Sequence, residues 1–153
     1  VNEHSFIKAV HRYLPSELFR WKIHDTYAGG VPDAFYLGPA SALFIEYKYV
    51  KKLPARPTTI LRTSLSKQQE LWLNRLHDCS FPGWYVIGAE DRCIIVKDTQ
   101  RVITTARFLR DCISFKEVAC QIYAFVQGEG NELLREHEGL TTPRSSLSAG
   151  GDY

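Results

Sequence analysis

Asp33, Glu46 and Lys48 are the side chains in the first third of this chain whose types and spacing could do chemistry. Each interrupts an otherwise apolar run, VPDAFYL or ALFIEYKYV, where a charge is costly unless something compensates it. Gly38-Pro39-Ala40-Ser41 separates the runs, so Pro32 to Leu37 and Ala42 to Tyr49 read as two strands of a hairpin. If Gly38 pairs with Ser41, paired positions sum to 79 and Asp33 falls opposite Glu46. Opposed residues hold their Cβ atoms about 4.5–5.5 Å apart, and like charges so placed repel unless a cation lies between them. Glu46 and Lys48 share one face of their strand with Phe44, while Leu43, Ile45 and Tyr47 point the other way.

Two carboxylates and one ammonium on a small patch, without Cys or His, suit a hard cation such as Mg²⁺ or Mn²⁺. Such an ion bridges to phosphate and makes its bound water a better nucleophile. Lys48 would orient that water or neutralise developing negative charge. The plainer alternative is a Glu46–Lys48 or Asp33–Lys48 ion pair on a solvated sheet face.

The elements that must position these groups follow from periodicity and punctuation. Asn2 to Leu14 reads as a helix capped by Asn2 and stopped by Pro15, with an apolar face through Phe6, Ile7, Val10, Tyr13 and Leu14. Glu3 lies four before Ile7 and seven before Val10, so it extends that packing face, although a first-turn carboxylate is also favoured by the helix dipole alone. Phe19 to Ile23 is a short strand, and a helix runs from Ser66 to about Asp78. There Gln69 shares a face with Trp72, Leu73 and Leu76, yet Ser66-x-x-Gln69 is also a capping box. Gly83 to Ile87 and Cys93 to Val96 form a second strand pair, a short helix spans about Ala106 to Cys112, and Ser114 with Glu117 caps a last helix ending at Gly128. Trp21, Trp72 and Trp84 sit in periodic segments and are expected in the core. The resulting fold class is a mixed α/β single domain.

From Tyr47 to Gln69 the chain carries Lys48, Lys51, Lys52, Arg56, Arg62 and Lys67 with no acid. This irregular loop fits a phosphate backbone, or is merely a solvated loop. Between Gly128 and Gly139 the balance reverses through Glu129, Glu132, Glu136 and Glu138. Residues 1–127 are expected to form the domain and 128–153 a polar, mobile tail. The 153 residues hold no apolar run near the ~20 that a membrane span needs. The amphipathic N-terminus with its early Glu does not read as a signal peptide. Cys79, Cys93, Cys112 and Cys120 form no CxxC pair and are expected to be buried, reduced thiols, with zinc the weaker reading. A cytoplasmic protein without membrane or organic cofactor is expected.

Pro32-Asp33 followed after twelve residues by Glu46-Tyr47-Lys48 resembles the signature of the PD-(D/E)XK nuclease superfamily. Gly30-Val31-Pro32-Asp33, Phe44-Ile45-Glu46-Tyr47-Lys48, then Leu65-Ser66 with Gln69, resemble its virus-type VRR-NUC family over roughly Asn2 to Val96. The resemblance implies a restriction-endonuclease-like core, a mixed central sheet flanked by helices in αβββαβ order. It implies Asp33 and Glu46 as metal ligands, the Tyr47 backbone carbonyl as another, Glu3 as a ligand directly or through water, Lys48 as catalytic lysine and Gln69 as a supporting group. Lys51, Lys52, Arg56, Arg62 and Lys67 would hold DNA. The expected activity is a Mg²⁺- or Mn²⁺-dependent DNA endonuclease selective for junctions or branched DNA, acting as a homodimer like the Holliday-junction resolvases. The alternatives are a sequence-specific restriction-type enzyme of the same superfamily and a non-catalytic nucleic-acid-binding domain.

Overall fold

The central hairpin forms in the register the sequence implies. Ala34 pairs with Ile45 and Leu37 with Ala42, and the Gly38 N–H donates to the Ser41 carbonyl at 3.0 Å. A computed structural model describes residues 1–128; the acid-rich stretch and the expected mobile tail beyond lie outside the described residues. The elements are α1 (Glu3–His11), β1 (Phe19–Lys22), β2 (Ala34–Leu37), β3 (Ala42–Val50), α2 (Lys67–Asp78), β4 (Gly83–Ala89), β5 (Arg92–Val96), α3 (Thr105–Asp111), β6 (Ile113–Ser114) and α4 (Phe115–Gln127). The mixed α/β class and the αβββαβ order are as expected.

Six strands lie side by side in chain order. The β3–β4 pair is parallel and all other pairs are antiparallel. A parallel pair needs a crossover, and α2 supplies it. Leu43, Ile45 and Tyr47 face a core built with α1 and α4 through Phe6, Val10, Val118 and Ile122. On the opposite face, Tyr85, Ile87 and Ile94 pack with Leu61, Leu73 and Phe108.

Helix ends follow the expected chemistry. Asn2, Ser66 and Ser114 are N-caps, each in a reciprocal capping box, and Gly128 closes α4 in the left-handed conformation. The Val126 carbonyl takes N–H donors from Ala40 and Ser41 in the hairpin turn, which ties α4 to β2 and β3. Helix α1 ends at His11, a turn short of the Leu14 expected from Pro15, because Tyr13 and Leu14 bond in tighter turns to Val10 and His11.

The basic loop is irregular as expected, and it is tied at one point, where Ile60 bridges Thr104 and the Leu61 N–H donates to the Ile103 carbonyl at 2.8 Å. Two expectations need correction. Trp21 is 55% exposed rather than core, because no described helix covers β1 on that face; Trp84 is buried and Trp72 half-buried. Of the four thiols, all free, Cys93 and Cys120 are buried while Cys112 is half-buried and Cys79 exposed.

Candidate active site

The site forms where β2 and β3 part company. Their ladder ends at Ala34–Ile45, while β3 continues beside β4 to Val50 and Ala89. The Tyr47 N–H, no longer met by a β2 carbonyl, donates instead to Asp33 Oδ2 at 2.8 Å. Asp33 keeps its own backbone in the sheet by accepting from the Ile23 N–H at 2.8 Å. One carboxylate oxygen thus substitutes for a missing rung, and the other makes no hydrogen bond among the described residues.

Glu46, on β3, is fully buried and neither of its carboxylate oxygens has a hydrogen-bond partner. Its nearest cation is Lys48 Nζ, 3.2 Å from Oε1, an ion pair without hydrogen-bond alignment. Burial first, and Asp33 second, push the Glu46 carboxyl up to about 8, with Lys48 opposing. Burial also raises Asp33; the Tyr47 N–H works against it, Glu3 adds to it, and Lys48 and Lys22 oppose it. These shifts describe carboxylates that call for positive charge.

Glu3 reaches the same cluster from α1, its Oε2 3.5 Å from Lys48 Nζ. The helix is seated by Phe6, whose ring meets Tyr47 edge-on at 5.6 Å. The Glu46–Lys48 pairing of the plainer alternative is therefore real, but it is buried and shared with a third carboxylate. Asp33, Glu3 and Glu46 against Lys48 leave two negative charges over, which one divalent cation would balance.

Gln69, expected to support the site, has its carbonyl oxygen committed to the cap of α2, accepting from the Ser66 N–H at 2.9 Å. The start of α2 lies against Gly30, which has φ +84°; a Cβ on it would run into the Gln68 carbonyl carbon. Lys51, Lys52, Arg56, Arg62 and Lys67 are all exposed around the neighbouring loop. The Tyr85 hydroxyl, beside Glu46 on β4, anchors that loop by donating to Thr63 Oγ1 at 2.6 Å.

Behind the site, Tyr47 and Tyr36 share a hydroxyl–hydroxyl bond of 2.7 Å, and Tyr36 meets His11 Nε2 at 2.7 Å. Sequence reasoning missed this network, and it missed Lys22, whose Nζ lies against His4 Nδ1 and opposes the rise at Asp33. Strand alternation on β1 places Lys22 on the α1 side, but its neighbour there is a tertiary fact.

Among the described residues, no three Asp, Glu, His or Cys side chains converge as a ready-made metal cage. The fit for a hard ion rests instead on the orphaned Glu46 carboxylate, the free side of Asp33 and the excess negative charge. Mg²⁺ fits such a half-built site, because it keeps several waters and takes only one or two carboxylates.

No protein-family model matches the chain, and no curated protein matches it. The solved structure of Hjc, a Holliday junction resolvase from the archaeal hyperthermophile Archaeoglobus fulgidus, is similar in fold with a TM-score of 0.50. It is 13% identical, and the match covers 78% of this chain and 97% of that one. The likeness defines a fold class: the chain shares with that structure a mixed sheet flanked by helices.

Proposed function

We propose that this chain is a metal-dependent DNA endonuclease selective for branched DNA. The observation that carries the reading is Glu46, a buried carboxylate with no hydrogen-bond partner, set beside Asp33 and Lys48 on a nuclease-like fold. The resolvase neighbour supports the coarse activity, and the motif residues support the narrower VRR-NUC kinship. A bound Mg²⁺ or Mn²⁺ would supply an activated water and charge neutralisation at the phosphorus.

The chain's own residues do the rest. Asp33, Glu46 and the Tyr47 carbonyl hold the ion, with Glu3 directly or through water. The Tyr47 N–H keeps Asp33 from rotating away. Lys48, steered by Glu46 and Glu3, presents its ammonium to the nucleophile and to the charge growing on the phosphate. Gln69 fixes the start of α2 at the rim, and Lys51, Lys52, Arg56, Arg62 and Lys67 hold flanking phosphates. Residues 1–127 act as one cytoplasmic nuclease domain. A homodimer suits a two-fold junction.

Purified protein and Asp33→Asn would be incubated with linear, flap, splayed-arm and four-way-junction DNA in Mg²⁺, Mn²⁺ or EDTA. Metal-dependent cutting of branched DNA by the parent alone is the expected result. Cutting that survives in Asp33→Asn or in EDTA would remove this site from the reaction, and cutting at one fixed sequence would move the assignment to a restriction-type enzyme.

A further inference from the structure

One strand row from the carboxylates, on the face that Glu46 occupies, three aromatic residues stand in cross-strand register. Trp21 lies opposite Phe35 and Phe35 opposite Phe44, with ring centroids 6.5 Å and 4.9 Å apart. Phe81 extends the file, 5.8 Å from Phe44. Helix α2 packs over β4, and along the row Phe44 and Phe35 are half-buried while Trp21 is exposed. Between the row, Trp72 of α2 and the 24–28 loop lies a cavity of about 510 Å³. Trp21, Phe44 and Trp72 give it apolar walls, Tyr27 stands fully exposed at its mouth, and His24 and Asp25 bring polar groups to its rim. Asp25 holds the loop in place by accepting from the N–H groups of Tyr27 and Ala28 at 2.7 and 3.2 Å.

We propose that this recess is a stacking platform for unpaired nucleobases next to the scissile phosphate. Flat aromatic walls with a few polar edge groups are what splayed-out bases take, and the volume lies in the range of small-ligand sites. Rows on one strand face are about 7 Å apart. A DNA strand that delivers a phosphodiester to Glu46 therefore lays its adjoining nucleotide over Phe44 and Trp21. The other occupant of an exposed aromatic face would be a second copy of the chain. A recess with polar groups at its rim, continuous with the carboxylate row, fits bases better than a flat self-contact. The platform would make unpaired bases at a branch point part of what is recognised.

The assignment rests on the nuclease reading for where the strand lies, so its test reads binding apart from cutting. Affinities of the parent, Trp21→Ala and Tyr27→Ala would be measured in Ca²⁺ for a fully paired duplex and for the same duplex with a short unpaired bulge. Each variant is expected to lose roughly fivefold or more on the bulged DNA and nothing on the paired duplex. Making the bulge abasic should reproduce that loss with the parent protein. Equal losses on both substrates, or no loss on either, would overturn the platform. So would a parent dimer that dissociates in Trp21→Ala, which would give the face to a second copy. If Asp33→Asn still cuts while Trp21→Ala loses affinity for the bulged DNA alone, the nuclease site fails and the platform stands.

Discussion

A buried carboxylate with no aligned hydrogen bond is costly to keep charged, and Glu46 is held in that state with only the Lys48 ion pair to offset it. Without metal, the group relieves the cost by taking a proton, which is what a carboxyl pushed up to about 8 describes. A carboxyl raised in the fold contributes most below its ordinary value of 4.5, and that contribution is lost as pH climbs through about 8. Glu46→Gln should therefore stabilise the chelated protein by roughly 1–3 kcal/mol at neutral pH, while abolishing cleavage. Thermal melts in EDTA check this, and a variant less stable than the parent would mean that Glu46 is not strained. His11 runs the opposite way. Burial, then Arg20 and Lys22, hold it down at about 4. The unfolded chain takes the proton first, so stability falls as pH drops from 6.5 toward 4, by at most ~1.4 kcal/mol per pH unit. His11→Gln should flatten that part of the profile in urea titrations, and an unchanged slope would place the loss at other groups.

Elements bring these residues together through two devices, and only one of them is legible in the sequence. The hairpin register, the Asn2 cap, the Ser66 and Ser114 capping boxes and the Gly128 stop depend on neighbours a few residues apart, so residue spacing alone predicts a register that sets Asp33 one step beyond the last pair, Ala34–Ile45, on the side of Glu46. The splay of β2 from β3, the two-residue strand β6 and the Ile60–Thr104 bridge join distant segments and leave no local signature. Exposure of Trp21 is equally illegible, because it depends on where α2 lands across the sheet. The contact that sets α2 beside the site is Gly30, whose left-handed backbone abuts the Gln68 carbonyl. Gly30→Ala adds left-handed strain of ~1–2 kcal/mol and a Cβ where backbone already stands. It should cost at least ~2 kcal/mol by chemical denaturation and cut cleavage more than it cuts DNA affinity. An active, fully stable variant would show that the α2 start is not held from this loop.

For the molecule as a whole, charge distribution matters more than the small net charge of +2. The loop from Lys51 to Lys67 is bare of acids and its cations are exposed, yet its backbone is pinned at Thr59, whose carbonyl accepts from the Thr105 N–H at 2.9 Å. A pinned basic loop beside a carboxylate cluster can hold a polyanion whose own charge the cluster would repel. Each cation that meets a phosphate releases counterions, so log affinity should fall linearly with log salt, with a slope of about 0.9 per contact. Lys51→Ala and Arg56→Ala should each flatten that slope by roughly one and weaken binding alike on every DNA sequence. Lys48→Ala, changing a side chain only 7% exposed and paired with two carboxylates, should leave the slope alone while turnover collapses. Binding isotherms across a salt series in Ca²⁺ separate the two roles. Loop variants that keep the parent's slope would reduce this stretch to solvated surface and shift phosphate holding to other cations, whereas a slope change in Lys48→Ala would make that lysine a phosphate clamp.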